Sequence, residues 1–83
     1  MDKKYESQLI KYQEQILEFG INVKKLRVKK RLTQLEFAKL CGLDIRTIQR
    51  IENGQITIKM PIIFILAESF AVPVTALFKN IYV

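Results

Sequence analysis

Histidine is absent from this 83-residue chain, cysteine occurs once, at Cys41, and glycine and proline number only three and two. One thiol without histidine assembles neither an ordinary zinc site nor a Cys–His catalytic pair, and no disulfide framework forms within the chain. A lone cysteine fits a reducing compartment, and Cys41 is expected to be a small buried helical residue. Gly20, Gly42 and Gly54 are too scattered for a phosphate-cradling loop, and no strand-borne acidic cluster offers paired carboxylates. No enzyme is expected, and neither a metal nor a cofactor. The most apolar run, Met60 to Leu66, is far short of the roughly 20 residues of a membrane span. The charged start MDKKYESQ does not read as a secretory signal. The expectation is a soluble cytoplasmic chain.

Hydrophobic residues make up 49% of the sequence, ample for one small domain and enough to suggest an apolar face that a second subunit covers. The net charge of +6 is unevenly spread. Residues 1–20 hold three Lys and four acids, net −1, and residues 51–83 balance at zero. Residues 21–50 hold nine Lys/Arg against Glu36 and Asp44, net +7. Solubility does not require such concentration, whereas a phosphate-binding face would produce it; a membrane surface or an acidic partner is the alternative cause.

Tyr5, Leu9, Tyr12, Ile16, Phe19, Val23 and Leu26 recur at alternating four- and three-residue spacing, one stripe of a helix. Two readings are open: a single helix from about Lys4 to Arg31, or two helices meeting near Gly20. From Ile21 to Arg31, Val23 and Leu26 point inward while Lys24, Lys25, Lys29, Lys30 and Arg31 face outward. Thr33-Gln34-Leu35-Glu36 is a capping box that starts a helix with Phe37, Ala38 and Cys41 on its buried face. Gly42 is placed to turn the backbone, Asp44 caps a helix from Ile45 to Glu52, and Asn53-Gly54 ends it. Arg46, Gln49 and Arg50 then share one side of that helix, opposite Ile48 and Ile51.

After a loop around Gln55 to Ile58, Pro61 suits the first turn of a helix ending near Ala71. Its inward face is expected to be Met60, Ile63, Phe64, Ala67 and Phe70, leaving Ile62 and Ile65 as apolar surplus. A last short helix is expected from Pro73 to Phe78, anchored by Leu77 and Phe78. The tail KNIYV either frays or brings Ile81 and Tyr82 to a subunit contact.

Two short capped helices across a glycine turn, in a basic segment, read as a helix-turn-helix. Leu26-Arg27, Leu32-Thr33-Gln34, Phe37-Ala38, Gly42-Leu43, Ile48, Ile51-Glu52-Asn53-Gly54 and the closing Ala67, Phe70, Val72 and Leu77-Phe78 stand in an order that is specific. By these residues the chain resembles the phage-repressor-like (Cro/Xre-type) helix-turn-helix family over Ile21 to Phe78. Leu43 to Thr57 also looks faintly like restriction–modification controller proteins. The resemblance implies an all-α, five-helix lambda-repressor-like DNA-binding domain over 21–78, with an N-terminal helical extension over 1–20 and a tail over 79–83, from a bacterium or phage.

It also implies roles. Arg27 and Glu52 match an internal ion pair, and Gln34 matches a residue that meets phosphate. Ile45, Arg46, Gln49 and Arg50 match base-reading positions, and these side-chain types suit base edges. Lys24, Lys29, Lys30 and Lys59 are further candidates for phosphate. Departures are Ile58 and Pro61 in the loop, Pro73 at the final cap, and Leu35 and Leu40 where the family is usually polar. With Tyr5, Leu9, Tyr12 and Ile16 they suggest an added packing surface. The leading function is a transcriptional regulator that reads double-stranded DNA as a homodimer on a palindromic site. The competitor is a protein-interaction module, antitoxin-like or a phage adaptor, on the same fold with an unknown protein partner.

Overall fold

The computed structural model describes residues 3–83, and five α-helices and a 3-10 turn follow one another there: α1 Lys3–Lys11, α2 Gln13–Lys29, α3 Gln34–Cys41, α4 Ile45–Glu52, α5 Met60–Phe70 and the 3-10 turn Val74–Phe78. All-α is the fold class the sequence predicts. The open question over residues 4–31 resolves differently from both readings. The break falls at Tyr12 (φ −101°, ψ 19°), where hydrogen bonds from Tyr12 N to the Gln8 carbonyl and from Ile16 N to the Tyr12 carbonyl, both 3.1 Å, meet. Gly20 lies inside α2, where an added Cβ would overlap the Ile51 carbonyl oxygen and stand 3.0 Å from the Glu52 carbonyl. Its missing side chain lets α2 lie directly on the end of α4. It is a contact point, not a helix boundary.

Phe19 and Val23 of α2, Phe37 and Ala38 of α3, Ile48 and Ile51 of α4, Leu66, Ala67 and Phe70 of α5, and Leu77 form the core. The Phe37 and Phe70 rings stack at 4.3 Å and 10°. Burying an apolar side chain of this size contributes about 1.5–3 kcal/mol. Cys41 is only partly buried, at the end of α3. Burial pushes its thiol pKa up, and a hydrogen bond with Ser69 offsets part of that.

The inward face of α5 matches the expectation at Ile63, Ala67 and Phe70 but not at Met60 and Phe64. Met60 and Phe64 are 62% and 55% exposed, while Leu66, Ala67 and Phe70 are buried and Ile62 packs partly against the core. Ile65 is half-buried. In the nearly uniform run MPIIFILA every register is apolar, so spacing alone cannot select the inward face. The expected short closing helix takes the 3-10 form; it buries Leu77 but leaves Phe78 half-exposed against the Phe19 ring at 5.1 Å. Nor does the tail fray. Asn22 Nδ2 donates to the Leu77 and Lys79 carbonyls at 2.9 and 2.8 Å, and Gln15 Nε2 to the Tyr82 carbonyl at 2.9 Å. Ile81 thereby packs inside its own chain, while the Tyr82 side chain stays exposed.

Candidate nucleic-acid interface

Two caps and a left-handed glycine set α3 against α4. Thr33 Oγ1 accepts from Glu36 N at 3.1 Å and Glu36 Oε1 from Thr33 N at 2.8 Å, the reciprocal pair that its sequence predicts. The Thr33 backbone N–H, and less its hydroxyl, hold the Glu36 carboxyl below its ordinary pKa of 4.5. Gly42 takes φ +69° as α3 ends, and Leu43 N reaches back to the Ala38 carbonyl at 2.9 Å. Asp44 Oδ1 then accepts from Arg46 N at 2.8 Å and starts α4. Gly54, at φ +67°, closes α4 with Leu17 of α2 against it, 3.0 Å from where a Cβ would sit.

This frame turns Ile48, Ile51 and Glu52 inward and leaves Arg46, Gln49 and Arg50 exposed on the opposite side. Their i, i+3, i+4 spacing puts them on one face. They line an open polar concavity together with Gln34, Asn53 and Gln55. The sequence marks Asn53 only as a helix stop and Gln55 only as the start of a loop, because both follow the helix expected to carry the reading. Ile45 is half-buried and packs against the core, so less of it is free than of the three polar residues.

Below the concavity lies a buried ionic junction. Arg27 Nε donates to Glu52 Oε2 at 2.7 Å and Nη2 to Glu52 Oε1 at 3.0 Å, in a fork geometry. Nη1 donates to the Leu32 carbonyl at 2.7 Å, and Gln34 Nε2 donates to Glu52 Oε1 at 3.1 Å. One carboxylate thus joins α2, α3 and α4. Removing a single partner of such a pair costs about 3–5 kcal/mol, because the other charge stays buried.

Lys24, Lys29, Lys30 and Lys59 are all exposed and none lines the concavity. Lys24 and Lys29 share a second open concavity along α2 with Ile21, Lys25 and Val28, and Lys30 caps the C-terminal end of that helix. Leu35 and Leu40 of α3 and Tyr5 and Tyr12 of α1 are exposed, and Leu9 and Ile16 are half-buried. Among the described residues no helix is long and apolar enough to cross a membrane, and no group of three or more Cys, Asp or Glu is placed to hold a metal ion.

With capped helices α3 and α4 meeting at a left-handed glycine, the architecture is that of a helix-turn-helix domain. The helix-turn-helix family model matches residues 23–77, and the chain belongs to that family of DNA-binding domains, related to phage-repressor (Xre-type) and restriction–modification controller proteins. Among solved structures it is similar to the restriction-modification controller protein C.AhdI from Aeromonas hydrophila, with a TM-score of 0.74 and 32% identity over 76% of this chain and 96% of that one. It is also 40% identical over 53 residues to the antitoxin PezA of Streptococcus pneumoniae serotype 4 (strain ATCC BAA-334 / TIGR4). That match covers 64% of this chain but 34% of the antitoxin, so the chain spans about a third of that protein's length.

Proposed function

We propose that this protein is a sequence-specific, double-stranded-DNA-binding transcriptional regulator that acts as a homodimer on a roughly palindromic site. The observation that carries this reading is the outer face of α4, where Arg46, Gln49 and Arg50 converge on one open polar concavity. In a major groove each arginine can donate two hydrogen bonds to guanine O6 and N7, glutamine pairs with adenine, and Ile45 touches a thymine methyl with its exposed part. Gln34 meets a flanking phosphate and sets the register, and Lys24, Lys29, Lys30 and Lys59 supply further phosphate contacts. A second copy covers apolar residues left open here, drawn from Tyr5, Leu9, Tyr12, Ile16, Leu35 and Leu40. Two α4 helices then read two half-sites a helical turn apart.

Selection of bound duplexes from a random pool at physiological salt, with the stoichiometry of the selected complex, tests the reading. The expected result is an enriched palindrome bound by two chains. No enrichment, with stable capture of another protein, favours an antitoxin-like or adaptor module. The match to an antitoxin, together with exposed Leu35, Leu40, Met60 and Phe64, gives that alternative its specific support.

A further inference from the structure

The buried ion pair does more than hold helices together. We propose that Arg27 and Glu52 are positioning residues for DNA recognition, acting through the Gln34 amide. This inference rests on the reading of α4 and Gln34 as DNA-facing.

A carboxylate only accepts hydrogen bonds, so Glu52 dictates which end of the Gln34 side chain faces it. Nε2 turns inward to Glu52 Oε1 at 3.1 Å. The second N–H of that amide and its Oε1 are left for the concavity that Gln34 shares with Arg46, Gln49 and Arg50. Glu52 is itself immobilised by the two-point contact with Arg27, whose third bond fixes the loop carbonyl of Leu32 immediately before the α3 cap. Gln34 is the first residue of α3, and its side chain would otherwise sample several rotamers. The clamp therefore presents one N–H toward a phosphate and one acceptor toward the arginines of α4 before DNA arrives. Pre-setting an amide in this way raises affinity by removing an ordering cost at binding.

The test is a thermodynamic cycle on the full chain, using the duplex enriched from the random pool. Replacing both charged partners by apolar ones, Arg27→Met with Glu52→Leu, removes the clamp without stranding a buried charge. Affinity of this variant should fall roughly tenfold, about 1.4 kcal/mol. The same double replacement in a Gln34→Ala background should cost no further affinity, because no amide remains to be oriented. Thermal melts of all four proteins separate folding from binding, and binding is read where each is folded. Should the double replacement not fold, Arg27→Lys serves instead: it keeps the buried charges balanced but loses the two-point contact that immobilises Glu52, and its loss should likewise vanish with Gln34→Ala. Equal losses with and without Gln34, or no loss at all, overturn the positioning role. If no duplex is enriched at all, the DNA-reading function fails and this inference falls with it. An enriched duplex with additive losses sinks only the clamp.

Discussion

Helices α1 and α2 share one apolar stripe at unbroken spacing, yet the two halves of it meet different fates. Phe19 and Val23 of α2 are buried, whereas α1 buries no residue and leaves Tyr5 exposed. What separates the halves is what lies against them. The lower half of α2 has α4 on it, seated at Gly20 and locked by Arg27 and Glu52. At the α1 end Leu9 and Ile16 lie beside residues 54–57 in an open groove, with Gln13 Nε2 donating to the Gly54 carbonyl at 2.8 Å. Periodicity reveals which side of a helix is apolar. It does not reveal whether anything covers that side.

The comparison breaks most visibly at Gly20. Gly20→Ala gains helix propensity of up to about 1 kcal/mol, but its Cβ lands on backbone that cannot step aside. The expected net loss is about 2–3 kcal/mol, a fall of the melting temperature on the order of 10–20 °C by circular dichroism. Gly42→Ala isolates the backbone effect alone, because nothing lies within 4 Å of its Cβ while φ is +69°. It should cost about 1 kcal/mol. A larger loss at Gly42 than at Gly20 would contradict the close-approach account. At the α1 end, Tyr5→Ala should change the stability of the isolated chain by no more than about 0.5 kcal/mol. A bigger loss that depends on protein concentration would place Tyr5 in a subunit contact.

The smallest effect belongs to the α3 cap. The folded state holds the Glu36 carboxyl below 4.5, so its contribution is present above the unfolded value and is lost as pH falls through the folded one. The melting-temperature difference between wild type and Glu36→Gln should be largest above pH 4.5 and shrink in more acid solution. A difference that stays constant across that range would mean that the bond from the Thr33 N–H does not depend on charge.

Much of the centre of the molecule was legible in the sequence because its signals are local. A threonine three residues before a glutamate, an aspartate before Ile45 and glycines after two short helices each mark a backbone hydrogen-bonding need that only a few residue types meet. The pairing of Arg27 with Glu52 came instead from family resemblance. Illegible parts depend on distant neighbours. Gly20 reads as a weak point until the Ile51 carbonyl is seen against it. Asn22 sits unremarked beside the stripe, although it ties down the Leu77 and Lys79 carbonyls 55 and 57 residues away. In α5, uniform apolarity erased the contrast that would have shown Met60 and Phe64 facing out.

The central claim is that α4 distinguishes bases, and Arg50→Ala tests it most directly. Affinities of wild type and variant should be measured for the enriched duplex and for a scrambled one at the same salt concentration. The account predicts that discrimination between the two duplexes falls roughly tenfold or more, while affinity for the scrambled duplex changes far less. Equal losses on both would make Arg50 a phosphate contact and contradict the assignment of α4 as the reading helix.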